Sequence, residues 1–151
     1  MHITQINMLD SKSFNSVISD LEDKNEEFIA NLDKVINLGI NIVMNTEELL
    51  EETNDYDYIY QIYITDTNFN FWIKVSKGSI IYKKGVNRNA SFRVKFTKDI
   101  IIKVLKREMY GAEAYMKGII KVDGDLTQGL RFIKLFRLII KYINNGFKKI
   151  K

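Results

Sequence analysis

Apolar and polar residues recur with two different periods along this chain, and the period changes near residue 50. Over residues 13–38 the apolar positions lie three or four apart, which predicts helical structure. A polar break at residues 23–25 divides this segment into two predicted helices. We therefore expect residues 1–50 to form a helical extension that packs on a second unit, residues 51–151.

The second unit begins with segments in which apolar residues alternate with polar ones, as in half-buried strands. Lys77-Gly78 predicts a two-residue turn between two of these strands. In the fourth strand Phe92 and Val94 point to one side of the sheet, and Arg93 points to the other. The predicted strands are 58–66, 69–76, 79–83, 90–96 and 119–123.

Further helices are predicted from capping residues and from the apolar spacing. They are one from Thr46 to about Glu52, one from Thr97 to about Met109, one over residues 112–116 and one from Asp125 to about Asn144. This order of elements predicts an α+β fold, in which helices cover one face of a five-stranded, mostly antiparallel sheet. A gap between two such layers is a common place for small apolar molecules to bind.

Charge is distributed unevenly between the two halves of the chain. Residues 1–57 carry thirteen acidic residues and three lysines, whereas residues 58–151 carry twenty basic and six acidic residues. An excess of basic residues indicates an anionic partner, which here is nucleic acid, a membrane surface or the acidic half of the same chain. The sequence leaves these three alternatives open.

Several kinds of chemistry lack the residues that they require. The chain has no cysteine and a single histidine, His2, so neither thiolate catalysis nor a histidine-based triad is expected. Asp123-Gly124-Asp125 lacks the other ligands of a calcium loop, and it predicts a turn followed by a helix cap. We therefore expect no enzyme activity, no metal and no cofactor.

The N-terminal segment does not have the pattern of a secretory signal, and no apolar run approaches the roughly 18 residues that a membrane span needs. The absence of cysteine fits a reducing compartment. We therefore expect a cytoplasmic protein.

Four segments carry a resemblance to a known family. They are residues 60–66, 71–78, 90–96 and 114–125, in this order and at this spacing. Through them the chain, from about residue 51 to residue 142, resembles the sterol-binding domain of the sterol carrier protein type 2 (SCP2) family. Two positions depart from the family pattern, because Arg107 stands where a glycine is usual and Gly111 where a proline is usual.

The resemblance implies an apolar tunnel between sheet and helices that holds fatty acids, acyl-CoA, sterol-like or isoprenoid molecules, and possible transfer of these lipids between membranes. Methionine adapts to ligands of varied shape, which favours Met109 and Met116 as contacts. The apolar residues predicted to face this layer, and hence the candidate lipid-binding residues, are Ile62, Ile64, Phe71, Ile73, Phe92, Val94, Ile101, Leu105, Met109, Tyr115, Met116, Ile120, Leu130 and Ile133.

The final predicted helix is apolar on one side and basic on the other. Arg131, Lys134, Arg137 and Lys141 lie three or four residues apart, and this spacing places them along one face. A basic amphipathic helix can rest on an anionic membrane surface. The alternative is that the helix packs against the core with its basic face in solvent, and the two interpretations are compatible.

Two other classes of function compete with lipid binding. An accessory module with a closed core would bind another protein, through residues 1–50 or as a homodimer. Nucleic-acid binding would use the basic half, but the aromatic residues at 56–63 lie in an acidic stretch, so we expect no nucleic-acid partner.

Overall fold

The computed structural model of the chain describes Ser16, Ile18, Ser19 and residues 27–150, with side chains up to residue 143. In this part of the chain the elements are α1 Phe28–Met44, α2 Glu47–Glu52, β1 Asp57–Ile64, β2 Asn70–Ser76, β3 Ser79–Lys84, β4 Phe92–Phe96, α3 Lys98–Leu105, α4 Gly111–Met116, β5 Lys121–Gly124 and α5 Leu126–Ile150. The α+β fold class is confirmed. The helix predicted before residue 23 lies outside the described residues, except for Ser16, Ile18 and Ser19.

The strands form one sheet in the order β3-β2-β1-β4-β5. Three of the four pairings are antiparallel, and β1 pairs with β4 in parallel. Between β2 and β3, Lys77 and Gly78 both have positive φ, at 50° and 82°. A turn with two such residues matches the twist of a two-residue hairpin, so the turn predicted here is confirmed.

The two faces of the sheet differ in side-chain chemistry. On one face Tyr60 pairs with Ile73 on one side and with Phe92 on the other. The centroid of the Tyr60 ring lies 4.5 Å from that of Phe132 on α5, so this face is covered by helix. The opposite face is more polar and strongly basic; its side chains include Trp72, Lys74, Lys83, Arg93, Lys95 and Lys121.

The helix α5 crosses the covered face at very short range. A Cβ placed on Gly129 would lie 2.2 Å from a ring carbon of Phe92 on β4. Only a residue without a side chain fits at this crossing, because interiors pack without such overlaps. Gly129 therefore sets how closely the final helix approaches the strand.

Three helix ends differ from those predicted, and one of them is the end of α5, which continues past Asn144 to Ile150. The helix α1 continues past residue 38 to Met44, because Ile42 and Val43 also face the core and are buried. The helix α3 ends at Leu105 instead of near Met109. The chain turns out of the helix at Arg107, whose φ of 65° is left-handed.

The capping residues predicted for two helices are in place, but their hydroxyls do not cap. Thr46 donates its hydroxyl back to the Ile42 carbonyl. At the start of α3, the side chain of Thr97 makes no capping bond, and the Lys98 amide instead donates to the Asp66 carboxylate at 2.9 Å. At α5 the prediction is confirmed, since the Gln128 amide donates to the Asp125 carboxylate at 3.2 Å.

Candidate functional site

The fourteen candidate lipid-binding residues fall into three groups by exposure. The buried ones are Ile62, Ile64, Phe71, Phe92, Val94, Leu105 and Ile120. The partly buried ones are Ile73, Ile101 and Met109, which pack against the core, and Ile133. Tyr115, Met116 and Leu130 are exposed, at 38%, 83% and 53%. The expectation that all fourteen side chains face the layer between sheet and helices is therefore wrong for these three.

Met116 and Leu130 are exposed for reasons that the helical period alone does not reveal. Only Ala114 of the six residues in α4 is buried, so this short helix turns the Met116 side chain outward. On α5, Gly129 lies against the sheet, and its neighbour Leu130 consequently points away from it.

The segment around α3 is less completely buried than α1. Leu105 is the only fully buried residue of α3, while Ile100, Ile101 and Ile102 are each only partly buried. Phe96 at the end of β4 and Met109 after α3 are also partly buried and contact the core. Each of these side chains therefore keeps part of its apolar surface exposed.

Tyr60 carries a buried hydroxyl without a hydrogen-bond partner among the described residues. Its side chain is fully buried between the aromatic rings of Phe92 and Phe132. Burial raises the pKa of the Tyr60 phenol far above its ordinary value, and the nearby phenols of Tyr56 and Tyr58 add to this effect. Such a hydroxyl is neutral and can donate one hydrogen bond.

Arg131 is the centre of a polar cluster that joins α2, β1 and α5. Its guanidinium donates to the Asp55 carboxylate at 2.8 Å and to the Tyr58 hydroxyl at 2.9 Å. It also lies over the Tyr56 ring, 4.8 Å from the centroid. The bond to Asp55 raises the pKa of Arg131 and lowers the pKa of Asp55.

This cluster changes the interpretation of the basic face on the final helix. Arg131 pairs with Asp55, and Lys134 pairs with Glu52 at 3.2 Å, so two of the four predicted membrane-surface cations bind the acidic half of the chain. Arg137 and Lys141 are exposed and form no ion pair with the described residues. Of the four predicted cations, Arg137 and Lys141 are therefore the two without an acidic partner among the described residues.

Within the described residues, no three His, Cys, Asp or Glu side chains are arranged to hold a metal ion. None of the helices described is both long and apolar enough to cross a membrane.

Comparison with known protein families shows which family the chain belongs to. A sequence model of the SCP-2 sterol transfer family matches residues 40–137, about two-thirds of the chain. The chain belongs to this family. The match begins within α1 and ends within α5, so it includes α2 and every strand. The resemblance inferred from the four sequence segments is confirmed.

Solved structures agree on the fold. The SCP2 domain of the ubiquinone synthesis protein UbiJ is 14% identical, with a TM-score of 0.57; the match covers 78% of this chain and 96% of that one. Sterol carrier protein 2 from Yarrowia lipolytica, in its apo form, is 15% identical, with a TM-score of 0.50. The match covers 74% of this chain and 91% of that one. An inverting sec-alkylsulfatase from Pseudomonas sp. is 19% identical, with a TM-score of 0.55, and the match covers 65% of this chain but only 16% of the enzyme.

These comparisons support a general class of function and no specific ligand. Membership of the SCP-2 family supports lipid binding or transfer in general, and members of the family are generally not catalysts. The solved structures are all distant in sequence, so they show the fold alone. No curated protein sequence matches the chain.

Sequence reasoning missed two features of this site. Phe132 and Tyr60 meet across the layer, yet neither was among the candidates. The signal for Tyr60 was present, because it precedes Ile62 and Ile64 at the two-residue period of one strand face. The pairing with Phe132 depends on where α5 crosses the sheet, which no local pattern encodes.

Proposed function

We propose that this chain is a cytoplasmic, non-catalytic lipid carrier. It binds one fatty acyl, acyl-CoA, sterol-like or isoprenoid molecule and can pass it between membranes. The observation that carries this proposal is the set of partly buried apolar side chains around α3, chiefly Ile101 and Met109. Membership of the SCP-2 sterol transfer family supports the same class of ligand.

The physical basis is the apolar surface that a ligand would remove from water. Ile101, Met109 and Phe96 already contact the core on one side and keep apolar surface exposed on the other. Burying a long acyl chain against such side chains contributes up to about 0.8 kcal/mol for each CH₂ group. Affinity then depends on chain length more than on any single polar contact.

We also propose that two parts of the chain have different roles. Residues 1–50 act as a helical extension, and residues 51–151 form the lipid-binding domain. Support comes from α1, where the Asp33 carboxylate accepts a hydrogen bond from the Tyr82 hydroxyl of β3 at 2.8 Å. The buried face of α1, with Phe28 and Leu32, packs into the same core as the strands.

The first test is native mass spectrometry of the purified protein, followed by lipid extraction under denaturing conditions. We expect a co-purified apolar molecule at close to one per chain, or saturable uptake of a fluorescent fatty acid. Ile101→Trp should block uptake by filling the partly buried region. Met116→Trp is the matched control, since Met116 is 83% exposed and the new ring would remain outside.

A second candidate is an accessory module with a filled core. It is favoured by the sec-alkylsulfatase of Pseudomonas sp., in which the matching fold occupies 16% of a longer chain. A clean mass together with no fatty-acid uptake would support this candidate against the carrier.

A further inference from the structure

Six large apolar side chains lie exposed within a short stretch of the fold. Met116 is 83% exposed, Tyr110 59%, Leu130 53% and Leu126 45%, and both Tyr115 and Ile119 are 38% exposed. We call these six residues the α4–α5 apolar surface. They make up most of the large apolar side chains that the described residues expose, and scattered single exposures would not concentrate in this way.

The fold brings these residues together at one end of α5. Leu126, Leu130 and Ile133 lie along the same edge of this helix at spacings of four and three. Ile133 lies beside Gly111, the first residue of α4. A Cβ placed on Gly111 would lie 3.8 Å from the Ile133 side chain, which is an ordinary contact distance. At the other end of α4, residues 117–120 and the four-residue strand β5 connect it to α5.

Two unpaired cations border this surface. Arg107 precedes α4, and Arg137 follows Ile133 by one turn of α5. Both are exposed and form no ion pair with the described residues. By contrast, Glu113, an acidic residue of α4, is already paired with Lys117 at 3.2 Å.

Exposed apolar side chains together with unpaired cations favour one of three binding partners: nucleic acid, a second copy of the chain or a lipid surface. Aliphatic side chains such as Met116 and Leu130 gain nothing from a nucleic-acid backbone. A second copy of the chain would bring Arg107 and Arg137 towards the same residues of its partner, and like charges at an interface disfavour association. An anionic lipid surface accepts apolar side chains below the headgroups and cations at the phosphates, and tyrosine rings favour the boundary between them.

We propose that the α4–α5 apolar surface docks the protein on anionic phospholipid membranes. Met116 and Leu130 insert below the headgroups, and Arg107 and Arg137 contact the phosphates. The proposal rests on the proposed lipid-binding function, since docking places the partly buried side chains around α3 next to the bilayer from which a ligand would come.

Vesicle sedimentation with the full chain tests this proposal. We expect binding to vesicles of phosphatidylcholine mixed with phosphatidylglycerol, weaker binding to phosphatidylcholine alone, and release by salt. Met116→Glu and Leu130→Glu, made separately, should each weaken binding by about tenfold or more. Ile81→Glu is the matched control, because Ile81 is equally apolar, 42% exposed and on the opposite face of the sheet, and its binding should be unchanged.

A spectroscopic readout locates the inserted residue. Trp72 is the only tryptophan, so Trp72→Phe with Met116→Trp leaves a single reporter on the proposed surface. Its emission should shift to the blue on addition of the mixed vesicles. An unshifted spectrum, or sedimentation that Met116→Glu leaves unchanged, would overturn the proposal. A dimer in native mass spectrometry that Met116→Glu dissociates, with no vesicle binding, would also overturn it in favour of a second copy.

Uptake of a fluorescent fatty acid without vesicles separates this proposal from the proposed function. Met116→Glu should bind the fatty acid like the unmodified chain while losing vesicle binding. If uptake is absent from every variant but vesicle binding follows the expected pattern, the carrier proposal fails and the docking proposal stands.

Discussion

The two ends of the helical layer differ in how completely their apolar residues are buried. On α1, six residues are buried, and Phe28 and Leu32 are each only 1% exposed. On α3 and α4, a single residue of each helix is buried, and the remaining apolar side chains are partly or largely exposed. Both regions are rich in apolar residues, so composition does not explain the difference.

Helix length and geometry account for it. The helix α1 has 17 residues, enough to present one continuous face to the sheet, whereas α3 has eight and α4 has six. A short helix has few residues on any one face and depends on its neighbours for burial. The comparison suggests a division in which the α1 end maintains the fold and the α3–α4 end is available to ligand and membrane.

Truncation of one apolar residue at each end tests this division most strongly. Leu32→Ala should lower the free energy of unfolding by about 2–5 kcal/mol, since it leaves a cavity in a fully packed region. Ile101→Ala should lower it by about 1 kcal/mol, because Ile101 is already partly exposed. Denaturant unfolding of both variants measures the difference. Equal losses would show that the two ends are packed alike.

Glycine replacements test the close approach of α5 to the sheet. Gly129→Ala should destabilise the protein by about 1–3 kcal/mol, because the new methyl group overlaps the Phe92 ring. Gly39→Ala in α1 is the control, since nothing lies within 4 Å of its added Cβ. There the change should stabilise the protein by about 0.5–1 kcal/mol, through helix propensity. Thermal unfolding of the two variants should therefore shift in opposite directions.

Removal of a hydroxyl tests the middle of the layer, where α5 crosses β1. Tyr60→Phe should raise the free energy of unfolding by about 1 kcal/mol, because it removes a buried hydroxyl that has no partner among the described residues. Tyr56→Phe should lower it by a similar amount, since the Tyr56 hydroxyl lies 3.0 Å from both the Glu52 carboxylate and the Arg131 carbonyl. Denaturant unfolding of both variants measures these changes. A lower free energy of unfolding for Tyr60→Phe would contradict the prediction.

Much of the fold follows from local patterns in the sequence. Alternation along β1 and β2 identified the strands, and Lys77-Gly78 identified the turn between β2 and β3. These features depend on neighbours a few residues apart, which a single sequence displays. Asp125 likewise caps α5 as predicted, through its bond to the Gln128 amide.

The parts that could not be predicted depend on contacts between distant residues. The sequence predicts Arg131 on the basic face of the final helix, yet it binds Asp55, 76 positions away in the chain. The sequence predicts Met116 in an apolar cavity, yet α4 turns it outward. In both cases the sequence specifies the kind of side chain, and the packing of helices on the sheet determines what it contacts.

The smallest effect is expected at the end of α3, where the chain leaves its last helical turn. Arg107 has a φ of 65°, a conformation that glycine adopts without strain and that other residues adopt at some energetic cost. Arg107→Gly should therefore raise the free energy of unfolding by about 0.5–1 kcal/mol.

A second variant separates the backbone from the charge at this position. Arg107→Ala removes the guanidinium but keeps the strained conformation, so its stability should stay close to that of the unmodified chain. Both variants remove a cation from the rim of the α4–α5 apolar surface, and both should bind anionic vesicles more weakly. A gain in stability confined to Arg107→Gly, with weaker vesicle binding in both variants, would show that this residue strains the backbone while its charge serves the membrane contact. If neither stability nor vesicle binding changed, the α3–α4 connection would have neither role.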